Sequence, residues 1–207
     1  MKEKINYSDI VRTAWKGLKS QFWLLTGLLI GFTIVYSLLF IFAIPAKGDF
    51  FSISCIITYI LCVFLLCLFQ LGYLKNCFQT LDGEEPQFSS YGQVSRKLPA
   101  YLAAYLIYSI IIAIGSVLFV IPGIYLALRL QFFMASIIDE DTGIIKSFKR
   151  SWEITKGHSM RLFVVMLIML LISFIGQIAL FVGIFVAIPL IVLTYGVVFR
   201  RLTTPAA

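Results

Sequence analysis

The chain is poor in the residues that do chemistry in water. It holds one histidine, His158, and ten acidic residues, and only 13% of its 207 residues are charged. A single histidine with no second ligand beside it in sequence predicts no metal site, and it leaves little for general acid–base catalysis. The sequence contains no HExxH, GxSxG, P-loop or Rossmann fingerprint. Cysteine is scarce as well. Cys55, Cys62, Cys67 and Cys77 all lie within or at the end of one apolar run, at spacings that fit no zinc or redox motif, and read as small apolar side chains on a helix. These absences predict a protein without catalysis, metal or cofactor.

Hydrocarbon is what the chain has in plenty. It is 60% hydrophobic with a mean hydropathy of +0.97, where a soluble domain is nearer half apolar and a quarter charged. One domain of 23.4 kDa cannot hide so much apolar surface, so lipid must solvate much of it. The net charge is +7 and the pI about 9.3. Beside such apolar runs, that excess points to anionic lipid and the positive-inside rule rather than to nucleic acid.

A span needs about 20 apolar residues. Residues 22–44, 53–78, 99–121 and 160–182 satisfy this, and two shorter runs, 124–138 and 184–199, follow the last two. Pro122-Gly123 and Gly183 are expected to break the chain before the short runs, and Lys47-Gly48-Asp49 to turn it between the first two. The first run starts late and is too long for a signal sequence, so it reads as a retained span. The expected class is all-α: an integral membrane protein of about six transmembrane helices in three hairpins, the alternative being four spans plus two re-entrant segments. With both termini in the cytoplasm, Lys47 is the only base outside and Arg129 the only one within a span; all the others share the cytoplasmic side. That asymmetry is expected of a multi-pass chain of three hairpins with both ends in the cytoplasm.

Three polar segments carry helical stripes: 7–19, 88–98 and 143–157. In the last, Ile144, Ile145, Phe148 and Trp152 make the stripe, with Lys146, Lys149, Arg150, Glu153 and Lys156 around it. Such helices are expected to lie on the cytoplasmic interface, apolar face toward lipid and bases toward its phosphates. Each precedes an apolar hairpin, so the single membrane domain, 1–207, divides into three units at 7–80, 88–138 and 143–201. These are either true repeats or the common look of an amphipathic helix before a span. Gly27 and Gly31 form a GxxxG on the first span, and Ala179, Gly183 and Ala187 extend a small-every-four spacing later. Both predict close helix packing, within the monomer or between copies.

Arg129 is the costly residue. A charge near mid-membrane is unfavourable by about 2.5–3.5 kcal/mol on the insertion scale. Asp139 is about 15 Å away along a straight helix, and no acid lies inside another span. Two readings stay open. One is a structural residue that snorkels or contacts a glutamine or tyrosine. The other is an anion or lipid-headgroup contact, with Lys146, Lys149, Arg150 and Lys156, or the lining of a small transporter or channel. Asp139-Glu140-Asp141 precedes the third amphipathic segment, where acids are expected to favour its helix N-terminus and to pair with nearby bases.

The stretch IPGIYLALRLQFFMASIIDEDTGIIKSFKRSWEITKGHSMRLF resembles bacterial membrane proteins related to the membrane domain of glycerophosphoryl diester phosphodiesterase, and neighbouring uncharacterised six-span families. The resemblance rests on Pro122, Gly123, Ile124, Tyr125, Arg129, Asp139, Arg150, Ser151, Trp152, Thr155, Lys156 and Gly157. It implies a six-span membrane fold and no activity, because the phosphodiesterase chemistry of the named enzymes belongs to a separate soluble domain. The expectation is a non-catalytic accessory or organising protein whose partners are anionic membrane lipids, with a further copy or a membrane-protein partner possible, and no nucleic acid.

Overall fold

A computed structural model describes residues 6–43, 53–178 and 183–203 of the chain. The expected Lys47-Gly48-Asp49 turn and Ala179 lie outside the described residues. Among those described there are ten helices and no strand. They are α1 (Tyr7–Ser20), α2 (Phe22–Ala43), α3 (Ile53–Leu81), α4 (Ser89–Ser95), α5 (Leu98–Leu118), α6 (Val120–Leu130), α7 (Phe133–Asp139), α8 (Ile144–Ile154), α9 (Ser159–Ile178) and α10 (Ile184–Thr203). Six stretches are long and apolar enough to cross a membrane: α2, α3, α5, α6 with α7 as Val120–Asp139, α9 and α10. The chain is a polytopic membrane protein.

The break before the fourth span is not at Pro122-Gly123. Only Phe119, with extended backbone, separates α5 from α6. Pro122 falls in the first turn of α6, where a helix has no use for the missing N–H. Gly123 is there for contact: a Cβ on it would lie 2.4 Å from Ser116 Oγ and 3.0 Å from Ser116 Cα. The fourth span is therefore 20 residues long, not a short return from Ile124. The same logic joins α9 to α10, where a Cβ on Gly176 would meet the Cβ of Ala187 at 2.6 Å and the carbonyl of Gly183 at 3.0 Å.

The polar helices close one end of the bundle. Asn6 caps α1 by accepting the Ser8 N–H at 3.2 Å, and Ile10, Ala14 and Leu18, one helical face, are buried against α10, α3 and α2. α4 lies on α3, with the Tyr91 ring seated so closely over Gly72 that any Cβ there would overlap it. α8 buries Ser147, Ser151 and Ile154 against α5, α6 and α7. In α1 the stripe residues Ile10, Ala14 and Leu18 thus dock on protein, whereas in α8 a different face is buried and the stripe residues Ile145 and Trp152 stay exposed. Trp15 and Trp152 stay 41% and 40% exposed.

Candidate functional site

The fourth span is broken at Gln131-Phe132, between α6 and α7. A break frees backbone groups that hydrocarbon cannot satisfy, so it survives at membrane depth only where protein supplies partners. Here α8 and α10 supply them. The Ser151 hydroxyl donates to the Arg129 carbonyl at 2.9 Å and accepts the Phe132 N–H at 3.1 Å. The Thr155 hydroxyl, 2.7 Å from the Ser151 carbonyl of its own helix, also lies 3.1 Å from the Arg129 carbonyl. From α10, the Tyr195 hydroxyl donates to the Gln131 carbonyl at 2.9 Å. Ser147, Ser151 and Thr155, all fully buried, are a row of small hydroxyl residues four apart, which lets α8 approach closely.

The Arg129 side chain is 3% exposed. Its guanidinium carbon lies 4.2 Å from the centre of the Trp152 ring, and Tyr125 meets that ring edge-on at 6.2 Å. Its Nε has no hydrogen-bond partner, and among the described residues no acid pairs with it. Desolvated cation–π contact contributes about 2 kcal/mol, which offsets most but not all of the insertion cost. None of the glutamines considered from sequence bonds to it, and it lines none of the cavities described below.

The acid triplet does not cap α8. The N-cap is Gly143, without a side-chain bond, and the first turn holds no acid. Pairing takes all three acids instead, each to a different element. Asp139 bonds Arg200 of α10 at 3.0 Å, and Arg200 also bonds Asp82, just past α3, at 2.8 Å. Glu140 accepts a two-pronged bond from Arg150 of α8 at 2.8–3.0 Å. Asp141, with φ of 53°, pairs with Lys97 before α5; Lys97 also donates to the carbonyls of Ile137 and Ile138 at 3.2 and 3.0 Å. The Glu140 bond raises the Arg150 pKa above its already high ordinary value, so that guanidinium stays charged throughout the physiological range.

Of the five cations expected to meet anions, Arg150 is thus committed to Glu140, and Arg129 is buried on Trp152. Lys146, Lys149 and Lys156 are exposed and make no ion pair among the described residues. Gly157, with φ of 80°, turns the chain out of α8 in a conformation that favours glycine. Gly27 and Gly31 make no close helix contact within the monomer: a Cβ on either would meet nothing within 4 Å. They line an apolar cavity of about 490 Å³ between α2 and α3, with Leu28, Phe32, Phe69 and Tyr91. Sequence reading passed over a second stripe, Tyr101, Tyr105 and Tyr108 on α5, whose spacing of i, i+4, i+7 was visible from the start. All three line a cavity with Gln70 and Gln131.

Comparison with known proteins agrees with the motif. The chain is 28% identical over 159 residues to an uncharacterised protein of Mycobacterium tuberculosis and, to the same extent, to one of Mycobacterium bovis; each match covers 77% of this chain and 47% of the relative. The chain therefore spans about half the length of these curated relatives. No solved structure matches it. The family model for the membrane domain of glycerophosphoryl diester phosphodiesterase matches residues 87–199, more than half of the chain and nearly all of α4 to α10. This chain belongs to that membrane-domain family.

Proposed function

We propose that the protein is a non-catalytic membrane component that gathers anionic lipid at its cytoplasmic end, as an accessory or organising protein. One observation carries this reading. Asp82, Asp139, Glu140 and Asp141 are all spent on internal pairs, while Lys146 and Lys149 on α8 and Lys156 just past its end stay exposed, outnumbering the exposed Glu153, beside the half-exposed Trp152 and the exposed Ile145. The outer surface of α8 is therefore basic and amphipathic, which suits lipid phosphates above and acyl chains below. Both termini and the layer of α1, α4 and α8 are cytoplasmic in this reading, the membrane is the bacterial inner membrane, and residues 1–207 act as one domain. The transport reading through Arg129 draws no support from a guanidinium packed on Trp152.

The test is binding to nanodiscs. Cardiolipin or phosphatidylglycerol should be enriched around the protein over phosphatidylcholine, and Lys146→Ala/Lys149→Ala/Lys156→Ala should remove that enrichment without altering the fold. At about 1 kcal/mol for each base near an anionic surface, the triple variant loses roughly two orders of magnitude. Equal binding of charged and zwitterionic lipid would end the proposal.

A further inference from the structure

A second cavity, of about 480 Å³, lies among α3, α5, α7, α9 and α10, within the range of small-molecule sites. Its lining is mixed. Gln70, Tyr101, Tyr105, Tyr108, Gln131 and Tyr195 bring polar atoms to it, among apolar residues that include Met169, Ile188, Ile191 and Val192. Tyr101 donates to Gln70 Oε1 at 2.9 Å, and Tyr195 is engaged with the Gln131 carbonyl. The amide nitrogen of Gln70 and the hydroxyls of Tyr105 and Tyr108 have no hydrogen-bond partner among the described residues. Gln70 and Tyr105 are exposed, so the cavity opens at the flank of the bundle.

Depth gives these groups their weight. Lys97 and Asp82 belong to the ion pairs at the closed end of the bundle. Tyr105 and Tyr108 belong to the apolar stretch of α5 and Gln70 to that of α3, away from those pairs. Alkyl chains offer nothing to an amide or a phenol there, and a polar group left unbonded in hydrocarbon is costly. Neither acid nor base lines the cavity, so an ion would enter without a counter-charge. Water would match the glutamines and tyrosines but not the methionine and aliphatic residues among them. A neutral molecule that is mostly chain, with a hydroxyl or ester at one end, matches both.

We propose that this cavity binds a neutral, hydroxyl-bearing lipid, whose polar end bonds Gln70, Tyr105 and Tyr108 and whose chain lies along Met169, Ile188 and Val192. The site is separate from the α8 surface and holds whether or not that surface binds anionic lipid.

The experiment uses the full chain in phosphatidylcholine nanodiscs with three photoreactive probes carrying the same diazirine chemistry: a diacylglycerol, a long-chain polyprenol and a phosphatidylglycerol. Labelled residues are mapped by mass spectrometry. At least one neutral probe should label α5 and α10 at this cavity well above the charged one; which of the two does so tells a glycerolipid from an isoprenoid. Tyr105→Phe/Tyr108→Phe, which removes two donors and keeps both rings, should lower that labelling about tenfold, and Gln70→Leu should lower it too. If Gln70→Leu fails to insert, the phenylalanine pair decides alone. Labelling that ignores the hydroxyls, equal labelling by the charged probe, or no labelling by either neutral probe overturns the proposal, the last result leaving a water-filled cavity.

Discussion

The α2–α3 pair and the α6–α7–α8 joint solve the problem of packing in lipid in opposite ways. The first pair meets through rings and leaves its glycines uncovered: Phe32 stacks on Phe69 at 3.8 Å, while Gly27 and Gly31 face an empty groove. The joint is held by directed polar bonds at a break in the backbone, where Ser151, Thr155 and Tyr195 serve the groups that the break frees, and by ion pairs that tie α7 to α5, α8 and α10. Dispersion between rings tolerates small shifts. A buried bond to a freed carbonyl does not, because losing it leaves that group with nothing to bond. The family match covers the joint and omits α2 and α3.

Substitutions should separate the two regions. The largest effect is expected from Ser151→Ala/Thr155→Val, which strips the Arg129 carbonyl and the Phe132 N–H together. A loss of about 3 kcal/mol, from one to two unsatisfied buried groups, should appear as a marked fall in thermal stability in nanodiscs. Gly123→Ala comes next, at about 1–3 kcal/mol for overpacking against Ser116, read in the same melts. Glu140→Gln should cost less, about 1 kcal/mol, because its pair with Arg150 is partly exposed; a double-mutant cycle with Arg150→Gln would isolate it. Gly27→Ala and Gly31→Ala should stay within about 0.5 kcal/mol. If Gly27→Ala destabilised the chain as much as Gly123→Ala, the contrast would fail and a contact between copies at that groove would be the natural cause.

Hydropathy made the six spans legible, since period and length alone decide them, and the resemblance quoted Ser151, Trp152 and Thr155 before any contact was known. Their purpose was not legible. Trp152 meets Arg129 across a fold that brings two helices together, and no spacing within one helix encodes that. The acids misled in part: a triplet ahead of a helix looks like a cap, yet it pairs with Arg150 of that helix, with Lys97 before α5 and with Arg200 of α10. Pro122-Gly123 read as a turn because both residues favour turns; in place, one begins a helix and the other permits a contact. The tyrosine row on α5 was readable as a stripe, but only the cavity gives it a use.

Ser151 holds the broken fourth span together by accepting the Phe132 N–H. The most direct measurement is hydrogen exchange at that one amide, by nuclear magnetic resonance on the chain in nanodiscs, in wild type and in Ser151→Ala. Strong protection of Phe132 that falls by an order of magnitude or more in the variant, with the amides of α2 unchanged, is the predicted result. Equal protection of Phe132 in both proteins would contradict it.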